Sequence, residues 1–258
     1  MLAAVIILSV LVVVLFFIVV HLWRKSSQKP KNPPQQKNIE TNEAVPDIPA
    51  EKLMNLDDPY DQQKRIHGKI GEQVVYDHLK ELIENEKGYL FQNFCFENEN
   101  GYSCEIDTLL ICQGGIFVIE VKNMKGLICG KRESKEWNSF RQNPYERPVE
   151  FKNPISQNQK HIRYLSNLFP GNPPKMISMI IFLNGDLSRV PYPEIKRLQD
   201  GLDYIQNSIA SKKYSAEFVE RVYHQIVAIK EEYGITRERH LENILRYREN
   251  DNMELKQF

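Results

Sequence analysis

The chain has 258 residues, which is enough for one large globular core with an extension but too few for two large domains. Its 34 basic and 34 acidic residues cancel, so the composition excludes a protein of strongly basic overall charge, and any surface that attracts nucleic acid has to be local. The cysteines, Cys95, Cys104, Cys112 and Cys129, form no CxxC pair, and their spacing predicts neither a zinc site nor a dense disulfide framework.

The N-terminal segment is apolar for long enough to cross a membrane. Residues 2–20 are almost all Leu, Ile, Val, Ala and Phe, and a helix of about 20 such residues spans the hydrocarbon layer. A cleaved signal peptide is the alternative, but it requires a basic start and a shorter apolar core that ends in small residues. We therefore predict a transmembrane helix at residues 1–23, in contact with the lipid bilayer through residues 2–23.

The charges beside this segment predict its orientation. Five basic residues and no acidic residue follow it before Glu40, namely Arg24, Lys25, Lys29, Lys31 and Lys37. By the positive-inside rule, the N-terminus lies outside and the rest of this single-pass cell-membrane protein is cytoplasmic. Residues 24–55 are predicted to be a flexible cytoplasmic linker, because Pro, Gln, Asn and Lys dominate them.

The globular part begins with a helix, which apolar spacing predicts over Tyr60–Glu84. Glu72 lies on its apolar side, beside Val75 and Leu79, so its carboxylate is expected to face the core. A glutamate early in a helix is also favoured by the helix dipole alone, and this alternative stays open at this point.

A series of strands and further helices follows. Strands are predicted at Tyr89–Phe96, Ser103–Cys112, Ile116–Lys122, Gly126–Gly130 and Met176–Leu183, and helices at Asn153–Phe169, Leu202–Ala210, Ser215–Tyr233 and Thr236–Glu249. This order of elements predicts an α/β domain.

Gln113, Gly114 and Gly115 separate two of these strands and predict a hairpin. A turn centred on the two glycines sets Leu109 opposite Glu120 and Asp107 opposite Lys122.

The alternation of side chains along the two strands sorts them by polarity. Glu105, Asp107, Glu120 and Lys122 then share one face, and the other face is apolar, made by Ile106, Leu110, Ile119 and Val121. Two carboxylates at this separation can reach one hard cation, although an ordinary solvated hairpin with a cross-strand ion pair has the same pattern.

The ordered set of motifs resembles the nuclease-related domain (NERD), a branch of the PD-(D/E)XK phosphodiesterase superfamily. The motifs that carry the resemblance are Gly71-Glu72, Glu105-Ile106-Asp107, Gly115 to Asn123, Gly126 to Gly130, Trp137, Asn153-Pro154-Ile155 and Gln157-Asn158. The superfamily's leading Pro-Asp dipeptide is absent, since Ile106 precedes Asp107.

The resemblance implies a restriction-endonuclease-like core at residues 56–200, with a central mixed sheet flanked by helices, and a helical C-terminal extension at 201–258. It also implies that Asp107, Glu120 and Glu72 bind Mg²⁺ or Mn²⁺. Lys122 is then expected to position the attacking water, and Gln157 matches the polar residue that follows it in the pattern.

Basic and aromatic residues alternate after the hairpin, which favours contact with nucleic acid. The residues concerned are Lys125, Lys131, Arg132, Lys135, Trp137 and Arg141, with Phe140 and Tyr145 between them. A solvated loop around a core tryptophan is the alternative.

The chain is therefore expected to be a membrane-anchored nuclease with DNA as the expected substrate, although no residue separates DNA from RNA. A binding module of the same fold that holds nucleic acid without cutting it, and a membrane scaffold, remain the other hypotheses.

Overall fold

The computed structural model describes residues 59–98, 101–141 and 145–244, all of which belong to the unit Asn55–Phe258. The elements in chain order are α1 (Pro59–Leu82), β1 (Gly88–Glu97), β2 (Ser103–Cys112), β3 (Gly115–Lys122), β4 (Leu127–Cys129), β5 (Glu136–Phe140), β6 (Val149–Lys152), α2 (Pro154–Asn167), β7 (Met176–Phe182), β8 (Ile195–Arg197), α3 (Leu198–Ala210), α4 (Ala216–Tyr233) and α5 (residues 237–244). The predicted transmembrane helix and linker lie outside this part of the chain. Of the helices within it, none combines the length and the apolar character that a membrane span requires.

The central sheet has five strands in the order β1-β2-β3-β7-β8. β2 runs antiparallel to β1 and β3, whereas β7 runs parallel to both β3 and β8. A parallel pair needs a crossover, and here the connection from β3 to β7 contains α2 and a small antiparallel sheet of order β4-β5-β6. The mixed sheet flanked by helices fits the predicted α/β class.

Helices cover both faces of the central sheet. On one face, Leu165 of α2 and Val222 of α4 pack against strand residues such as Val118. On the other face, Leu79 of α1 and Ile205 of α3 pack against a different set of strand residues. A third apolar cluster lies under the small sheet, around Trp137, Ile155, Phe182 and Val190. Both faces of β3 are thus buried, which explains why its sequence is an almost continuous apolar run.

The pairing of β2 with β3 differs from the predicted register. Leu109 pairs with Val118 rather than Glu120, and Asp107 lies beyond the last pair of the ladder rather than opposite Lys122. The predicted register is therefore wrong by two residues. The shift is even, so it does not by itself move a side chain to the other face of the sheet.

Gly114 explains where the turn lies. The turn residues are Gln113 and Gly114, between the pair formed by Cys112 and Gly115. A Cβ at Gly114 would lie 2.6 Å from the backbone nitrogen of Ile209 in α3. Only glycine lets the turn pack this closely against α3. This contact therefore explains why the turn consists of Gln113 and Gly114 and is not centred on the two glycines.

The alternation of side chains along β2 is interrupted near its middle. Ile106 and Leu109 lie in one buried cluster although three positions separate them, whereas Leu110 packs on the opposite face. The prediction that Ile106 and Leu110 share a face is therefore wrong. The interruption lies at Asp107. Asn93 of β1 lies opposite Asp107, and the φ of Asn93, +49°, is outside the extended region.

Three strands carry no clear signal in the sequence. β5 and β6 are short and contain no run of apolar residues, and β8 has only three residues. The other predicted elements are present, although α3 begins four residues earlier than predicted and the predicted helix at Thr236–Glu249 is described only over residues 237–244.

Candidate functional site

Asp107 lies where β2 and β3 separate. The last pair of their ladder is Thr108 with Ile119, and just beyond it the Asp107 Oδ2 accepts a hydrogen bond of 2.8 Å from the Val121 N–H. The Asp107 side chain therefore binds a backbone N–H of β3 that lies beyond the pairs formed with β2. This hydrogen bond fixes the carboxylate beside β3.

Glu120 and Lys122 form a close ion pair at the end of β3. The Lys122 Nζ lies 2.5 Å from the Glu120 Oε1 and donates a second hydrogen bond of 3.2 Å to the Gln157 Oε1. Only 2% of the Glu120 side chain and 19% of the Lys122 side chain are exposed. Because Glu120 is so deeply buried, this pair is not the exposed cross-strand pair of a solvated hairpin.

The N-terminus of α2 brings Gln157 to this pair. The Asn153 Oδ1 caps the helix by accepting hydrogen bonds from the N–H groups of Ile155 and Ser156, as the Asn-Pro sequence predicts. The Asn153 Nδ2 donates to the carbonyl oxygens of Arg132 and Ser134, which ties the start of α2 to the loop before β5.

His161 lies one helical turn after Gln157 and faces the same pair. Its Nδ1 is 3.6 Å from the Glu120 Oε2, and both atoms are buried without a hydrogen-bond partner among the described residues. Burial lowers the pKa of His161, and the negative charge of Glu120 opposes this only in part. The ring is therefore neutral near pH 7, and it leaves the second oxygen of Glu120 unsatisfied.

Glu72 lies on α1, and its charge acts on Asp107. A Cβ at Gly71 would lie 2.9 Å from the Asn123 Cβ, so the glycine lets the helix approach the end of β3. The Glu72 Oε2 is paired with the Arg237 Nη2 at 3.1 Å, and the Arg237 Nε lies 2.8 Å from the Glu105 Oε1. Arg237 belongs to α5 and thus links α1 to β2.

Burial and crowding of the acids change their protonation. Burial raises the pKa of Asp107 well above its usual value, and the charges of Glu120 and Glu72 raise it further. Burial also raises the pKa of Glu105, to about 7, although Arg237 counteracts it. Such shifts indicate that burial and mutual repulsion disfavour the charged forms of these carboxylates. A bound cation would favour the charged forms.

Lys122 responds to the same charges in the opposite direction. Burial disfavours its charged form, but the charges of Glu120 and Asp107 outweigh burial and raise the pKa of the ammonium group. Lys122 therefore stays protonated at neutral pH and acts as a fixed positive charge between the acids.

The residues fit a divalent cation in part. Asp107 and Glu120 are hard oxygen donors of the kind that Mg²⁺ and Mn²⁺ prefer, and the Glu120 Oε2 is a buried oxygen with no hydrogen-bond partner in the described part of the chain. However, within residues 59–98, 101–141 and 145–244 no group of three or more His, Cys, Asp or Glu side chains is gathered closely enough to hold a metal ion. The predicted third ligand, Glu72, is paired with Arg237 instead.

The predicted nucleic-acid-binding residues fall into two groups. Lys125, Lys131, Lys135 and Arg141 are exposed on or beside the small sheet. Arg132 is half-buried, with two hydrogen bonds of 2.6 and 2.8 Å to Glu194 and its guanidinium group 4.9 Å from the Tyr192 ring.

The prediction for Trp137 needs correction. Its side chain is fully buried, and its Nε1 donates to the Lys131 carbonyl oxygen. The indole packs in the apolar cluster under the small sheet and cannot stack on a base in this arrangement. Exposed rings on this side of the molecule belong to Phe140 and Tyr145 instead.

Two residues of the site were missed in the sequence. His161 follows Gln157 by four positions, and this helical spacing is a signal that could have identified it. Arg237 is separated from Glu72 by 165 positions, and no local pattern indicates that the two meet.

Comparison of the sequence with known proteins supports the family that the motifs predict. The family model described as the nuclease-related domain matches residues 67–183, which is less than half of the chain and supports the predicted family for this segment. An uncharacterized protein of Bacillus anthracis is 34% identical over 115 residues, which cover 45% of this chain and 52% of that protein. The chain thus spans about half the length of this curated relative. No solved structure matches the chain.

Proposed function

We propose that this chain, whose residues 67–183 match the nuclease-related domain, is a nuclease that hydrolyses phosphodiester bonds with Mg²⁺ or Mn²⁺ as its cofactor. The observation that carries the proposal is the buried pair of Glu120 and Lys122, beside Asp107 and with one oxygen of Glu120 that no described residue satisfies by a hydrogen bond. A purely structural ion pair has no need of an unsatisfied buried carboxylate oxygen, since such an atom costs about 1–3 kcal/mol.

The cation is expected to bind Asp107 and Glu120. When bound, it supplies a nucleophile near neutral pH and stabilises charge on the phosphate. The protein's own contribution comes from Lys122, whose ammonium group is held by Glu120 and Gln157. From this position Lys122 orients the attacking water or meets the negative charge that develops on the phosphate.

DNA is the proposed substrate, and the exposed cations of the small sheet support a nucleic-acid surface. Lys125, Lys131, Lys135 and Arg141 can contact phosphates, while Phe140 offers a partly exposed ring for stacking. These contacts are independent of base sequence, so we expect binding that weakens with increasing salt concentration.

Binding without cleavage is the second candidate function. Two observations favour it. Lys122 and Arg237 already pair with Glu120 and Glu72, and no cluster of three metal-binding side chains occurs among the described residues. A protein of this kind would retain the basic surface but cleave nothing.

Incubation of the purified protein with DNA and with RNA, in Mg²⁺, in Mn²⁺ and in EDTA, tests the two candidates. A nuclease cleaves with the metal ions and not in EDTA, and both Lys122→Ala and Glu120→Gln abolish cleavage. Glu133→Gln is the matched control, because Glu133 is an exposed glutamate outside the site. Retarded but intact nucleic acid in every condition would favour binding alone.

Anchorage in the membrane remains a proposal from the sequence. A reporter fused after Phe258 is expected in the cytoplasm, because basic residues follow the apolar segment. Reporter activity on the outer side of the membrane would refute the orientation.

A further inference from the structure

Helix α5 turns several polar side chains towards the protein, beside the half-buried Leu241 and Ile244. Its buried or half-buried residues include Arg237, His240 and Asn243, at helical spacing. The segment before it is fixed to β1, because the Ile235 N–H donates to the Cys95 carbonyl oxygen. The helix is therefore held beside the acidic site and presents charged and polar groups to it.

Arg237 enters the acidic cluster from this helix. Its guanidinium group contacts Glu72 of α1 through Nη2, at 3.1 Å, and Glu105 of β2 through Nε, at 2.8 Å. Both carboxylates are mostly buried, with 13% of each side chain exposed. A planar guanidinium group carries several donors in a fixed geometry, so it can contact two carboxylates at once.

The acids of the site outnumber its fixed cations. Four carboxylates interact electrostatically here, those of Glu72, Glu105, Asp107 and Glu120, and they face the two cations Lys122 and Arg237. Lys69 acts on Glu105 more weakly than Arg237 does. Burial and mutual repulsion raise the pKa of Glu105 to about 7 and that of Asp107 well above its usual value, so a bound divalent ion would favour the charged forms of these acids.

We infer that Arg237 occupies the position of a second divalent cation and limits the site to one metal ion. Sites that hold two ions use the second to stabilise charge that the first does not reach. Here the guanidinium group holds Glu72 and Glu105, so these carboxylates are not available to a second ion. Arg237 is thus a positioning residue, and it comes from outside residues 67–183, the segment that matches the family model.

This inference rests on the proposed metal site, and the number of bound ions tests it. The full-length protein is titrated with Mn²⁺ at pH 7.5, without nucleic acid, and free Mn²⁺ is followed by electron paramagnetic resonance. We expect one ion per chain in the parent protein and two in Arg237→Gln at millimolar Mn²⁺, because Glu72 and Glu105 become available. Arg237→Lys keeps a positive charge and is expected to bind one.

Arg239→Gln is the matched control. Arg239 lies on the same helix and pairs with a glutamate, Glu97, at 3.4 Å, but it is exposed and outside the acidic cluster. The Arg239→Gln variant is expected to bind one ion per chain, as the parent protein does.

Four results would overturn the inference, and they differ in what else they refute. Two ions in the parent, or a single ion in folded Arg237→Gln, would refute the role of Arg237 alone. No bound ion in the parent would refute the proposed metal site as well. If Arg237→Gln does not fold, the counts in the parent and in Arg237→Lys still decide, since two ions in either contradict the inference.

Discussion

Replacement of Lys122 by alanine tests whether the ion pair at the end of β3 belongs to a buried site. An exposed cross-strand pair on a hairpin contributes about 0.2–1 kcal/mol, and its loss would hardly affect folding. In the structure, however, only 2% of the Glu120 side chain is exposed. Removal of Lys122 leaves this carboxylate buried and uncompensated, which costs about 3–5 kcal/mol in comparable cases. Because Lys122 itself keeps some contact with solvent, we expect Lys122→Ala to lower the free energy of unfolding by about 3 kcal/mol, at the lower end of this range.

Urea unfolding in EDTA at pH 7.5 measures this cost. The fluorescence of Trp137 is a suitable signal, because its ring is fully buried in the folded state. Lys80→Ala is the matched control, since Lys80 is exposed on α1 and its loss should change the free energy of unfolding by less than about 0.5 kcal/mol. Adding Glu120→Gln to Lys122→Ala removes the uncompensated charge and is expected to recover most of the lost stability.

Mn²⁺ separates a structural pair from a metal site in the same experiment. A bound ion supplies the positive charge that Lys122→Ala lacks, so Mn²⁺ should stabilise this variant more than it stabilises the parent. A cost of less than about 1 kcal/mol in EDTA, with no recovery in the double variant, would refute the assignment of a buried pair.

Three further predictions concern the metal, the pH response and the turn. Millimolar Mn²⁺ should raise the melting temperature of the parent but much less that of Asp107→Asn; equal shifts would exclude Asp107 as a ligand. Burial, helped by the charges of Arg237 and His161, lowers the pKa of His240 to about 4 from a usual value near 6.5. Protonation of His240 therefore destabilises the folded state as the pH falls from about 6.5 towards 4, and urea unfolding across this range should show a smaller loss in His240→Gln; parallel curves would contradict it. Gly114→Ala should cost about 1–3 kcal/mol in the same assay, since its Cβ meets the backbone of α3, and an unchanged stability would mean that the turn is free to move.

The local patterns of the sequence were sufficient for most of the fold. Helix α2 is an example, since Asn153 and Pro154 predict its start and the structure has the same cap. Continuous apolar runs likewise predicted β3 and β7 as buried strands. The small sheet was missed in part, because β5 and β6 owe their pairing to neighbours rather than to an apolar pattern of their own.

The residues of the site divide in the same way. The sequence by itself placed Asp107 on one strand of a hairpin and Glu120 and Lys122 on the next, because strand propensity and a glycine turn act over a few residues. The register, the burial of the Glu120–Lys122 pair and the arrival of Arg237 were decided only by the tertiary structure. Each of these depends on contacts between distant parts of the chain, such as the turn against α3 and α5 against β2. Residue spacing carries no information on such contacts, because the packing of whole elements determines which side chains meet.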